Sequence, residues 1–128
     1  MAQILIVDDD VDMLTLLAKI ITKNTNHNVT TTNNPFEVPK LIKEGAFDLL
    51  ITDPRMPDTD VAKLFAEVRK IDKSIPILII VEYGSTGSFD ENITKHIYDY
   101  ITKPYLLVRK EQILITVDRA LGLYDRQR

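Results

Sequence analysis

No cysteine occurs in the 128-residue chain. Disulfides, zinc–thiolate centres and thiol nucleophiles are therefore excluded together, and a reducing cytoplasm is the compartment this fits. Histidine is almost as scarce: His27 and His96 are the two present, and neither has a partner at metal-ligand spacing. No apolar stretch approaches the length of a membrane span. Met1-Ala2-Gln3 leads directly into the first apolar run, so the expectation is a cytoplasmic chain without a signal peptide. Neither sign of charge dominates. Sixteen basic and 19 acidic side chains leave a formal net charge of −3, which offers no field to attract nucleic acid. The composition, 45% hydrophobic and 27% charged, is that of an ordinary globular protein. The length suits one domain, residues 1–128, with a substantial core. No repeat, low-complexity tract or linker divides it.

What is present is an alternation of strand-like and helical patterns. Ile4–Val7 reads as a buried strand, and Val11, Leu14, Ala18 and Ile21 then recur at helical spacing behind Asp10 as N-cap. His27–Thr32 is β-branched but polar, which predicts an edge strand. Asn33-Asn34-Pro35 opens a short second helix ending near Gly45, and Pro39 inside it predicts a kink or a late start. Phe47–Thr52 is the third strand, and Val61, Leu64, Phe65 and Val68 mark the third helix. Ile75–Val81, the most hydrophobic strand, is expected to be central. The Gly/Ser-rich stretch 84–88 predicts a mobile loop, followed by a short helix from Asp90 to His96. Tyr98–Thr102 is the last strand, and Ile113, Val117, Ala120 and Leu121 define a long final helix. Five strands alternating with five helices predict an α/β fold, a five-stranded parallel sheet covered on both faces.

In such folds the site lies beyond the carboxyl ends of the strands. Asp8-Asp9-Asp10 ends the first strand, Asp53 the third, and Lys103-Pro104 follows the fifth. Clustered carboxylates repel one another until a cation neutralises them, and Mg2+ is the natural cation for a small all-oxygen site. A carboxylate in such a pocket can attack a phosphoryl group, with a lysine ammonium holding another phosphoryl oxygen. Asp8, Asp9, Asp53 and Lys103 supply these parts. Asp10 and Asp12 are better read as caps or solvated charges. Asp53 before Pro54 has a blander reading as a turn starter, which its place opposite Asp8-Asp9 outweighs.

With these residues in place, the whole chain resembles a response-regulator receiver domain of two-component signalling, chemotaxis-regulator-like. The resemblance rests on Ile6-Val7-Asp8-Asp9-Asp10, on Thr52-Asp53-Pro54-Arg55-Met56-Pro57 and on Asp99-Tyr100-Ile101-Thr102-Lys103-Pro104-Tyr105. It implies the flavodoxin-like strand order 2-1-3-4-5. It implies transfer of a phosphoryl group from a histidine kinase or phosphotransfer protein to Asp53, and self-hydrolysis rather than turnover of an external metabolite. By position, Asp9 matches the direct Mg2+ ligand, Asp8 the water-mediated one, and Arg55 the residue offering its backbone carbonyl. Lys103 matches the phosphate-binding lysine, before a cis bond to Pro104. Tyr100 matches the aromatic switch residue. The partners implied are the phosphodonor and an output domain or separate target. A homodimer is an allowed assembly, and neither membrane nor direct nucleic-acid contact is expected.

The chain also departs from that family. Val81, followed by Glu82, stands where receivers carry Ser or Thr and a small residue. Ser85, Thr86 and Ser88 are the nearest replacements for the lost hydroxyl. Val61 replaces a glycine near the start of the third helix, and His96-Ile97 replaces a small pair before the fifth strand. The expectation is phosphorylation at Asp53 with an altered switch at Val81 and Tyr100. The rival reading is a phosphorylation-independent interaction module. A phosphatase of the aspartate-nucleophile type is disfavoured, because Arg55 stands where its second aspartate belongs.

Overall fold

A computed structural model describes residues 1–81, 89–102 and 110–127, with side chains through residue 122. The strands are β1 (Gln3–Val7), β2 (Asn28–Thr32), β3 (Leu49–Thr52), β4 (Ile77–Val81) and β5 (Asp99–Thr102). The helices are α1 (Val11–Asn24), α2 (Val38–Gly45), α3 (Val61–Ile71), α4 (Glu91–Thr94) and α5 (Lys110–Gln127). All pairings are parallel and the strand order is β2-β1-β3-β4-β5, as expected. β2 is an edge, consistent with its polarity. β4 is interior and wholly buried, but the middle position belongs to β3.

Strand periodicity sorts the core into two layers. Leu5, Val7, Leu50, Ile77, Ile79 and Val81 face α2 and α3, where Val38, Ile42, Leu64, Phe65 and Val68 meet them. Ile4, Ile6, Leu49, Ile51, Leu78 and Ile80 face α1 and α5, where Leu17, Ile21, Ile113 and Val117 meet them. β1, β3 and β4 are thus apolar at successive positions, because both faces are covered.

Local chemistry sets the element ends. Asp10 caps α1, its carboxylate accepting from the N–H groups of Asp12 and Met13. A 3-10 turn, Pro35–Glu37, precedes α2, and Pro39 falls in the first turn of α2, so the late start is the one observed. At the end of α2, Ala46 adopts the left-handed conformation, with φ 48°. Gly45 is needed for a different reason: a Cβ there would lie 2.5 Å from Cε2 of Phe47, whose ring is buried in the core. Val61, where the resemblance places a glycine, begins α3 and is buried in the core, behind Asp60 as N-cap. The helix expected from Asp90 to His96 is shorter, Glu91–Thr94, with Asp90 as its cap. The loop expected to be mobile at 84–88 lies outside the described residues.

Arg69 ties α3 to the loops at the amino ends of β4 and β5. Its guanidinium donates to the carbonyls of Ile75 at 2.5 Å and His96 at 2.7 Å. The Phe65 ring meets His96 edge-on, centroids 6.4 Å apart. The ring contact uses the side chain that His96 brings where the resemblance places a small residue. Desolvation first, then the charges of Arg69 and Lys95, hold the His96 imidazole below its ordinary value. The unfolded chain therefore binds this proton more readily than the folded one. The His96 contribution to stability is whole above about pH 6.5 and fades as pH falls below it. Denaturant titrations from pH 8 to 5 should show a small fall in wild-type stability that His96→Gln flattens. An unchanged slope in the variant would refute this assignment.

Candidate functional site

Register creates the site. Val7 of β1 pairs with Thr52 of β3, so the residues that follow each strand emerge side by side. The Asp53 N–H donates to the Val7 carbonyl at 3.0 Å, carrying the ladder one step past β3. Asp8 and Asp53 are thereby adjacent though 45 positions apart in sequence. Asp8 is fully buried and Asp53 is 8% exposed, whereas Asp9 faces solvent. One carboxylate oxygen from each of the three lies within 4.8 Å of the others.

Backbone donors orient two of these carboxylates. Asp8 accepts from the Asp10 N–H at 2.9 Å, and Asp53 Oδ1 accepts from the Arg55 N–H at 2.8 Å. Asp10 thus caps α1 with its side chain while its own N–H holds Asp8. The cap of α1 is Asp10, as the sequence suggested. Three hard oxygen donors that converge without sulfur or nitrogen fit Mg2+ and suit no thiophilic metal.

Beside the cluster, β4 runs two residues past the level of β3, since Thr52 pairs with Ile79. Val81 ends it, 2% exposed and packed in the α2–α3 layer. Tyr100 is half-buried and packs against that same layer, so the expected switch pair shares one apolar cluster. Val81 itself pairs with Thr102. Lys103, the Lys103-Pro104 bond expected to be cis, Tyr105, Glu82 and the hydroxyls of Ser85, Thr86 and Ser88 lie outside the described residues.

Sequence reasoning did not single out Phe89. The Arg55 guanidinium carbon stands 4.7 Å from the centre of its ring, a cation–π contact between the segments after β3 and before α4. Phe89 is half-buried against the Val81 layer. An aromatic directly before the capping Asp90 was the available signal, obscured by the polar stretch ahead of it.

The response regulator receiver domain pattern matches residues 4–117. The transcriptional regulatory protein GlrR of Escherichia coli K12 is 31% identical over 120 residues, covering 94% of this chain and 26% of that protein. The transcriptional regulatory protein ZraR of Klebsiella oxytoca is 30% identical over 119 residues, covering 93% and 26%. The crystal structure of NtrX from Brucella abortus superposes with a TM-score of 0.86 at 26% identity, covering 98% of this chain and 28% of that one. The chain belongs to the response regulator receiver domain family, whose general features include phosphorylation on aspartate and Mg2+ at an acidic pocket. It spans about a quarter of the length of these two curated relatives. Among the described residues, no helix is long and apolar enough to cross a membrane.

Proposed function

We propose that this chain is a phosphorelay receiver in which Asp53 is the phosphoacceptor, Asp8, Asp9, Asp53 and the Arg55 carbonyl hold Mg2+, and Lys103 binds a phosphoryl oxygen. One observation carries the reading: the three carboxylates within 4.8 Å of one another at the ends of β1 and β3. Bringing three like charges together is unfavourable, and a bound divalent cation compensates for it.

The Asp53 carboxylate oxygen attacks phosphorus and forms an acyl phosphate. The bond from phosphorus to the donor breaks, with its electron pair leaving on the imidazole nitrogen of a phosphohistidine, which then takes a proton. The Arg55 N–H on Oδ1 fixes the carboxylate plane for that attack. Burial of Asp53 strips it of water and leaves solvent-exposed Asp9 as the open side of the pocket. Bound Mg2+ would offset the charge that develops on the transferring oxygens. Hydrolysis resets the site: water attacks phosphorus, the bond from phosphorus to the Asp53 oxygen breaks with its electron pair returning to the carboxylate, and inorganic phosphate leaves as the attacking water loses a proton to solvent. The donor is a histidine kinase or phosphotransfer protein, and the phosphorylated state is read by an output domain or target. Because Val81 offers no hydroxyl, the switch differs from that of receivers with Ser or Thr there.

Intact mass after incubation with Mg2+ and acetyl phosphate or phosphoramidate tests this. A phosphate-sized adduct is expected that requires Mg2+ and is absent from Asp53→Asn. The absence of an adduct with several donors would favour a phosphorylation-independent module, the reading supported by the apolar packing of Val81.

A further inference from the structure

We propose that Arg55 and Phe89 form a latch that couples Asp53 to α4, doing through a guanidinium what Val81 cannot do through a hydroxyl. The inference rests on Asp53 being the phosphoacceptor. Arg55 is joined to both ends of the path. Its backbone N–H is hydrogen-bonded to the Asp53 carboxylate at 2.8 Å, and its side chain lies over Phe89, 4.7 Å from the ring centre. Phe89 immediately precedes Asp90, the cap of α4, and packs against the layer that holds Val81 and contacts Tyr100.

Phosphorylation changes which partner holds the guanidinium more strongly. An acyl phosphate at Asp53 adds negative charge and oxygen acceptors two positions before Arg55. A charge-assisted hydrogen bond to phosphoryl oxygen outweighs an exposed cation–π contact. The guanidinium therefore leaves Phe89 for the phosphoryl group, and the ring loses the cation above its face. Exchange of the Phe89 ring for phosphoryl oxygen contributes to the differential affinity that a switch requires. Arginine suits this exchange because its planar fork can lie over a ring in one state and donate to two oxygens in the other. The receiving element is short: α4 is a single turn with no fully buried side chain, held to the core by the partly buried Phe89 and Ile93.

The test uses phenylalanine labelled with carbon-13, since the chain has four phenylalanines and Phe89→Leu identifies the relevant ring signals. Wild type, Arg55→Gln and Arg55→Lys are each treated with Mg2+ and phosphoramidate, and intact mass gives the fraction carrying phosphate in the same sample. Arg55 is exposed, so these substitutions leave the core intact. The expected result is a Phe89 shift in wild type that scales with adduct. In Arg55→Gln the signal should already stand near its phosphorylated position and lose most of the shift. Arg55→Lys should retain part of it. An adduct that forms while Phe89 stays fixed, or moves equally in Arg55→Gln, overturns the latch and leaves the phosphoacceptor reading intact. A wild-type chain that takes no phosphate overturns both.

Discussion

Asp9→Asn is expected to make the metal-free protein more stable and the Mg2+-supplied protein far slower at accepting phosphate. Asp9 is the exposed member of the carboxylate cluster, so the amide can replace it without burying a new group. Two charges about 5 Å apart repel by roughly 1–3 kcal/mol between the dielectric of water and that of a protein surface. Removing one charge should raise the melting temperature in EDTA by a few degrees. Loss of a charge near the start of α1 acts in the opposite direction, but Asp10 and Asp12 already serve that end. Wild type should gain about 1.4 kcal/mol when Mg2+ reaches tenfold its dissociation constant, and Asp9→Asn should gain little. A metal contributes several kcal/mol to phosphoryl transfer, so adduct formation should slow by roughly a hundredfold or more. Thermal melts with EDTA and with MgCl2, beside mass-spectrometric time courses, read both effects. A variant that melts lower in EDTA and keeps its Mg2+ response would remove Asp9 from the metal set.

Two kinds of information in the sequence located this pocket, and they had different reach. Strand ends were legible because the apolar runs stop abruptly at Asp8, Asp53 and Lys103, and a parallel sheet gathers such ends at one edge. The register that aligns Val7 with Thr52 was not legible from those runs, since a buried strand without alternation carries no mark of its offset. Hydrophobicity alone pointed to β4 as central, whereas the strand order implied by the resemblance already put β3 in the middle, where it is. Gly45 was read as a helix end, which it is, but its constraint comes from the Phe47 ring, a tertiary contact. Arg55 showed the same limit. Its place beside Asp53 was plain in the sequence, whereas its stacking on Phe89 depends on how two loops meet. Local chemistry therefore named the candidate groups, and packing determined what surrounds them.

Val81 is where that distinction has the largest functional consequence. Val81→Thr keeps the branched shape but places a hydroxyl in a position 2% exposed among Ile79 and its apolar neighbours. Without a partner, the hydroxyl should destabilise the unphosphorylated protein by about 1–3 kcal/mol. Once Asp53 carries phosphate, the hydroxyl has a charged acceptor at the end of β4. A hydrogen bond of that kind contributes about 1.5–3 kcal/mol, enough to move a two-state equilibrium tenfold or more. The two effects reinforce one another, because the substitution weakens the resting state and strengthens the phosphorylated one. Denaturant titration should show the resting loss and its recovery on phosphorylation. Tyr100 ring signals should shift further on phosphorylation in the variant than in wild type, since Tyr100 packs on the same layer. Combining Val81→Thr with Arg55→Gln separates the two routes from Asp53. If the hydroxyl acts independently of the guanidinium, the double variant keeps the Tyr100 response and loses the one at Phe89. A Tyr100 response no larger in Val81→Thr than in wild type would mean that the side chain at the end of β4 does not reach the phosphoryl group, and the altered switch would have to be sought elsewhere.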